Sequence, residues 1–415
     1  MGEWRATKWG DEISLEYGKA IRGYQNVVAP YPVYGTNGPV GFTDTPLAPG
    51  PGVILGRKGA YRGVHYSPDP FFVIDTAYYV KPKMADLNMR WLYYAIIYHK
   101  LGEIDDGSPI PSTTRAAVYV RDLEVPPIEE QEAIASVLGF FDDKIELNRR
   151  MNETLEAMAR AIFKDWFVDF GPTRAKAEGR PPYLAPEIWD LFPAALDDED
   201  KPVGWETQTL DTIVSLTKGR SYKSAELQDA TVALVTLKSF QRGGGYRRDG
   251  LKPYTGKFKL EQVVSPGELV IALTDVTQAA EVIGKPAIVL EDARYEALVA
   301  SLDVGIVRPR GKRIGRSFIA QMLLTEQFQN HAYSHSTGTT VLHLSKEAVP
   351  TFQACLPPVE IAALFEEAVE PISMRIAANA HESDVLAQTR DLLLPKLMSG
   401  EIRLAEAEKA VEAVA

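Results

Sequence analysis

The chain has 415 residues, 45% hydrophobic and 24% charged, a composition that supports two or three globular domains with real cores. A formal net charge of −11 argues against a surface coated with nucleic-acid-binding side chains, yet leaves room for a local basic patch offset by acidic helices. No apolar run approaches a membrane span and the first residues lack the apolar core of a signal peptide. With a single cysteine, Cys355, this makes a cytoplasmic protein the expectation.

In chain order, residues 1–125 read as a compact mixed module. Short β-like runs at 53–55, 71–74 and 78–80 alternate with Gly- and Pro-rich turns, and 88–100 (NMRWLYYAIIYHK) reads as a helix with an aromatic buried face. The turns carry KAIRG at 19–23, YGTNGP at 34–39, GRKGAYRG at 56–63 and SPIPSTTR at 108–115.

A long helix is expected over 126–170. Pro126 and Pro127 stop whatever precedes them, and helix formers dominate from Ile128 onward. Ile134, Phe141, Leu155 and Ile162 stand at multiples of seven; Leu138, Ile145, Ala159 and Trp166 form a second row four residues on. That is a two-row seam, as in a coiled coil, interrupted in both rows at its middle by Asn148 and Asn152.

Residues 171–203 change character, with PPY, a short helical patch at 186–192 and the acidic run 197–200, and read as a linker. Residues 204–356 read as a second module that restarts the first: WETQTLDTIVSLTKG at 205–219 lines up with WRATKWGDEISLEYG at 4–18. Its loops diverge, and the Gly-rich, basic stretch 238–259 is an insertion.

Over 357–399 the long helix returns, Pro357 standing 231 positions after Pro126. The same offset carries one row onto Phe365, Ile372, Asn379, Leu386 and Leu393, and the other onto Val369, Ile376, Ser383, Arg390 and Leu397. If the two helices run antiparallel and centre on each other, Asn148 approaches Ser383 and Asn152 approaches Asn379, a polar layer that fixes register. Residues 400–415 are left as a C-terminal tail.

Catalytic signatures are poor. Asp69-Pro70-Phe71-Phe72 only faintly echoes an amino-methyltransferase loop, and no Gly-rich cofactor loop precedes it. Asp190 with 199–201 reads as acidic linker, and His331, His335 and His343 have loose spacing with no cysteine nearby. No catalytic residue and no metal site are assigned. The basic loops are the better lead, because Arg and Lys neutralise phosphates or read guanine while Asn reads adenine. In the first module the candidates are Lys19, Arg22, Asn37, Arg57, Lys58, Arg62 and Arg115. In the second they are Lys218, Arg220, Lys223, Lys238, Arg242, Arg247, Arg248, Lys252, Lys257 and Lys259, with a further cluster at Arg308, Arg310, Lys312, Arg313 and Arg316.

Several of these stretches together resemble the specificity (S) subunit of type I restriction–modification systems. They are PPIEEQEAIASVL at 126–138 with Asp142, Asp143, Ile145 and Asn148, FKDWFVDF at 163–170, GPTRAKAEGR at 171–180, Gly204-Trp205, and LLPKLMSGEI at 393–402. The second helix departs at 359–363, where EEQ-x-x-IA has become VEIAA. The resemblance implies an α+β chain: two α/β target-recognition domains joined by two long antiparallel coiled-coil helices, with an internal pseudo-twofold repeat. It implies double-stranded DNA as ligand, each domain reading half of a bipartite site. It also implies two methyltransferase (M) subunits docked on the helices, with S-adenosylmethionine bound by those partners and adenine N6 as their target. Restriction (R) subunits would complete a cleaving assembly. The competing readings are a self-contained DNA methyltransferase or nuclease, and an interaction scaffold that binds no DNA.

Overall fold

A computed structural model describes residues 4–402 apart from Asn26, Ala60, Asp106, Ser108, Pro109, Gln278 and Lys312. Lys312, part of the 108–115 turn and most of the 400–415 tail therefore lie outside the described residues. Pro126 and Pro127 follow the strand Asp122–Val125, and from Ile128 the chain is helical without a break to Phe167, 40 residues. A second 40-residue helix runs Val359–Met398 and stays helical through Pro371 and Pro395. Both are longer than the seams alone span.

The fold is mixed α/β, and its contacts divide the chain into two units: Met1–Arg149 with Ala380–Ala415, and Arg150–Asn379. Each unit therefore takes one part of each long helix, so the units cut across chain order.

In the first unit an antiparallel four-stranded sheet has the order Ile13–Tyr17, Ala77–Pro82, Gly52–Gly56, Val64–Ser67. Gly52–Gly56 is buried along its whole length, as a central strand should be. The helix Met89–Tyr98 packs on it, started by Asn88, whose side chain accepts from the amides of Arg90 and Trp91. A three-stranded sheet holds Tyr31–Gly35 between Gly38–Thr43, antiparallel, and Phe72–Val73, parallel. Arg5–Lys8 pairs with Asp122–Val125 and so ties the start of the module to its end. The core gathers Trp9, Trp91, Ile134, Leu138 and Phe141 from the module and first helix, with Leu386, Leu397 and Met398 from the second.

The second unit has a four-stranded antiparallel sheet in the order Val214–Lys218, Val304–Pro309, Leu269–Ala272, Pro286–Ile288. A second sheet sets Val232–Val235 parallel to Ala297–Ala300, and Glu206–Thr209 pairs with Gln353–Leu356. A three-stranded sheet holds Thr274–Asp275, Leu342–Leu344 and Ser336–Thr337, and at the corresponding place after its central strand the first unit has a single antiparallel bridge, Lys58 to Ser112. The core of the second unit joins Phe163, Trp166 and Phe167 of the first long helix to Phe365 and Val369 of the second and to Phe318 of the Arg316–Leu323 helix. Ring centroids of 5.0 Å for Phe163–Phe318 and 5.5 Å for Phe163–Phe365, with edge-on planes, make this an aromatic cluster. The 171–203 segment is not structureless: Gly171–Ala177 is a helix that buries Pro172, Thr173 and Ala175.

Candidate nucleic-acid interface

Directly after the edge strands Ile13–Tyr17 and Val214–Lys218, each unit carries a glycine where no side chain fits. A Cβ on Gly18 would lie 2.0 Å from the Ile74 carbonyl oxygen, and one on Gly219 would lie 2.2 Å from that of Ser301. Such close passage fixes the next residue, and both next residues are cations. The Lys19 amide donates to Val73 O at 2.8 Å and the Arg220 amide to Ala300 O at 2.7 Å. The sheets that begin with Ile13–Tyr17 and Val214–Lys218 thus present a basic residue at the same strand end.

In the first unit that end is built further. Arg57 directly follows the strand Gly52–Gly56, its amide bound to Thr76 O at 3.0 Å, and its carbonyl accepts from Thr113 at 2.9 Å. The loop 111–115 is thereby drawn beside it. The Arg115 guanidinium lies 4.2 Å from the Tyr17 ring centroid, and that of Arg57 lies 5.1 Å from the same ring; both are 5.9 Å from Tyr78. Tyr17 and Tyr78 are register partners in the sheet with rings 5.0 Å apart. Burial, with the Tyr17 hydroxyl beside it, pushes the Tyr78 phenol up to about 12, so it stays neutral. Lys58 is exposed next to Arg57.

Arg62 faces the other way. Its guanidinium donates to three carbonyls, Gly59 at 2.7 Å, Ile104 at 2.8 Å and Gly102 at 2.9 Å, and so pins two loops together. With Asn37, which is exposed, it lines a shallow cleft that Tyr61, Gly63, Glu103 and Asp105 also border. Arg22 is exposed.

In the second unit many cations are matched by acids. Arg242 pairs with Glu281 at 3.2 Å, Arg247 with Asp249, and Lys259 with Glu261 at 3.4 Å. Lys252 lies over Tyr222 at 5.8 Å, and burial lowers the Arg248 guanidinium from its ordinary value. Lys218, Lys223, Lys238 and Lys257 are exposed. Arg308 is turned inward like Arg62, bound to Glu268 at 2.6 Å and to the carbonyls of Val263 and Glu261. Arg313 meets Glu206 at 3.5 Å, Arg316 donates to Gly267 O at 3.2 Å, and Arg310 is exposed.

His331 and His335 stack at 4.1 Å, and His331 Nε2 sits 2.9 Å from the Ala348 carbonyl. His343 lies in the Leu342–Leu344 strand, so the three rings have structural surroundings. Among the described residues no group of three or more His, Cys, Asp and Glu converges as metal ligands do. No helix among them is long and apolar enough to cross a membrane.

The helix seam residues are all buried or half-buried. Ile134, Leu138, Phe141, Ile145, Leu386 and Leu393 belong to the core of the first unit, and Ile162, Phe365, Val369 and Ile372 to that of the second. Leu155 and Ile376 are half-buried. In the first unit Asn148 Nδ2 donates to Ser383 Oγ at 3.3 Å and to Glu382 Oε2 at 2.8 Å, while Asp142 meets Arg390 at 2.5 Å. In the second, Asn379 Nδ2 donates to Asn152 Oδ1 at 2.8 Å. Within each unit, positions on the second helix fall as those on the first rise.

Sequence reasoning passed over Tyr17 and Tyr78, the aromatic floor of the cation cluster, and Gln131 and Glu366, which brace helix starts. Tyr17 had a signal: it precedes a glycine at the end of an alternating strand.

Residues 5–157 match the family described as type I restriction modification DNA specificity domain. The chain is 26% identical over 331 residues to the type I restriction enzyme MjaIX specificity subunit of Methanocaldococcus jannaschii, covering 76% of this chain and 70% of that one. It is 24% identical over 406 residues to the HindI specificity subunit of Haemophilus influenzae, covering 83% and 84%. The crystal structure of a type I restriction–modification S subunit from M. genitalium superposes over 95% of this chain and 96% of that one. Its TM-score is 0.51 at 14% identity, a likeness of fold.

Proposed function

We propose, from the premise that the chain belongs to the family of type I restriction–modification specificity subunits, that it is the DNA-reading and scaffolding subunit of such a complex. Each unit reads one half of a bipartite site in double-stranded DNA. The two long helices form an antiparallel coiled coil inside an internally duplicated chain, set the spacing of the halves and dock two methyltransferase subunits. Those partners hold S-adenosylmethionine and methylate adenine N6; restriction subunits add cleavage. The chain itself performs no chemistry.

The observation that carries this reading is the repeated strand order. In both units an edge strand, Ile13–Tyr17 or Val214–Lys218, is followed in the sheet by the strand Ala77–Pro82 or Val304–Pro309 and then by Gly52–Gly56 or Leu269–Ala272, and a glycine and then a cation come directly after each edge strand. Two such edges, differing in their loops, suit two different half-sites. A 40-residue helix is about 60 Å long at about 1.5 Å per residue, more than the ~34–36 Å between successive major grooves on one face. The helices are therefore long enough to act as a ruler.

The test is sequencing of methylated adenines in cells that carry the chain with its methyltransferase partner. An asymmetric bipartite motif is expected, and exchange of residues 5–125 for another relative's should change one half only. A change in both halves, or neither, would end the modular reading. Turnover of S-adenosylmethionine by the purified chain alone would favour the self-contained enzyme instead.

A further inference from the structure

The cation cluster of the first unit has a feature that its lysines do not explain. Two guanidiniums are held on the same pair of tyrosine rings, where their like charges repel. The Nε atoms of Arg57 and Arg115 are both buried with no hydrogen-bond partner. The nearest carboxylate to Arg115 is Glu16, whose Oε2 stands 3.8 Å away and whose Oε1 already accepts from Ser14 at 2.9 Å. One distant carboxylate leaves this edge short of negative charge. Lys19 and Lys58 flank it and add to the deficit.

We infer that Arg57 and Arg115, seated on Tyr17 and Tyr78, together hold one DNA backbone phosphate, a contact that positions the duplex on the first unit without reading its sequence. The inference rests on the proposed DNA-binding function and gives this edge a particular task. A guanine edge takes a single arginine fork, whereas two forks at one spot need an anion between them. Stacking on the tyrosines holds both planes in place before DNA arrives, so little side-chain freedom is lost on binding. Among its described residues the second unit has no such pair of arginines on one pair of rings. At the corresponding register Lys218 lies opposite Gly305 where the first unit has Tyr17 opposite Tyr78, so there is no ring to stack on. The two halves therefore grip the backbone differently.

The experiment measures duplex binding by the full chain assembled with its methyltransferase partner, as a function of salt, for wild type, Arg57→Gln, Arg115→Gln and the double variant. Thermal melts check that each variant is folded, and Arg115→Lys keeps the charge. Each single Gln variant should bind roughly tenfold more weakly, equally on specific and unrelated duplexes. The double variant should lose about 1 from the slope of log affinity against log salt, the release belonging to one phosphate. The methylated motif should be unchanged, and Arg115→Lys should keep the slope. Relaxation of one letter of the motif would make an arginine a base reader and overturn the seat. A slope change near two would assign the arginines to separate phosphates and do the same. Unchanged affinity and slope in the double variant would reduce the pair to a structural contact. Wild-type complex that binds no DNA would instead remove the underlying function, and the seat with it.

Discussion

Asn379 donates through Nδ2 to Oδ1 of Asn152 at 2.8 Å, while Asn152 reaches the Ile376 carbonyl at 3.3 Å. Asn379 is only 1% exposed, so its amide lies in a layer that an apolar pair would fill without complaint. An apolar seam tolerates sliding by a turn; a buried amide pair does not, because sliding strands its donors. Asn379→Leu alone should therefore lower the stability of the second unit by roughly 1–3 kcal/mol, the cost of taking the Asn379 donor from Asn152 Oδ1. Adding Asn152→Leu should restore most of it. Urea denaturation of the four chains, read as a double-mutant cycle, tests this, and additive losses would show that the amides do not act as a pair.

Gln131 is fully buried and makes three bonds that hold the start of the Met89–Tyr98 helix. It accepts from the Asn88 amide at 2.8 Å and donates to the carbonyls of Pro126 at 2.9 Å and Asp86 at 3.0 Å. Ala362 stands at the equivalent offset in the second helix, yet the task is not lost there. One turn later Glu366 accepts from the amides of Phe318 at 2.7 Å and Ser317 at 3.3 Å, at the start of Arg316–Leu323. A carboxylate suits a helix N-terminus. Gln131→Ala should speed amide exchange at the start of Met89–Tyr98, and Glu366→Ala should do so at Ser317 and Phe318. Unchanged protection in either variant would show that its helix start is held by other contacts.

Asp275 is 1% exposed, and its carboxylate accepts from the amides of Thr277 and Val282 at 2.6 Å and Ile283 at 2.9 Å. Burial pushes its pKa up, but the three amides and the Thr277 hydroxyl together hold it below the ordinary value. A depressed carboxylate stabilises the fold above its unfolded value near ~3.9 and loses that contribution as pH falls through its folded value. Asp275→Asn should cost about 1–3 kcal/mol at pH 7, with the gap to wild type closing below about pH 4. Denaturation midpoints from pH 7 to 3 measure it; a constant gap would mean that charge is not what holds the 276–283 loop.

The helices were the most legible part of the sequence, because heptad spacing and the proline pairs report local physics. The rows through Ile134 and Leu138 and the offset to Phe365 and Val369 needed no tertiary information. The glycine at 18 and its counterpart at 219 were visible as a restart, although their reason, a backbone passing within 2.2 Å of a would-be Cβ, was not. What sequence did not carry was the direction of side chains. Arg57 and Arg62 sit in one turn, yet one faces a tyrosine pair and the other three carbonyls. Composition scores them alike. PPY and the acidic run mark 171–203 as a connecting segment but do not signal the short helix at Gly171–Ala177, whose burial of Thr173 and Ala175 is a tertiary effect. The replacement of Gln131 by Glu366 was equally hidden, since the equivalent function had moved one turn along its helix.

Asp142 joins three helical segments of the first unit. It accepts from the Tyr94 hydroxyl at 2.6 Å and from Arg390 Nη1 at 2.5 Å, and Arg390 also reaches Asp391 at 2.7 Å. Burial and the adjacent carboxylate push the Tyr94 phenol well up, so its proton stays on and donates at any working pH. Removing the carboxylate strands the Tyr94 hydroxyl, which is 1% exposed and so gains no water in exchange, and leaves Arg390 with Asp391 alone. Asp142→Ala should therefore destabilise the unit by roughly 3–5 kcal/mol, and Asp142→Asn, whose amide oxygen still accepts, by less. If the cost comes from the partners left behind, the pair itself need not stabilise the fold. Pairing Asp142→Leu with Arg390→Met and Tyr94→Phe should then bring stability back close to wild type. A triple variant no more stable than Asp142→Ala would show that the ionic contact itself holds the Met89–Tyr98 helix against the long helices.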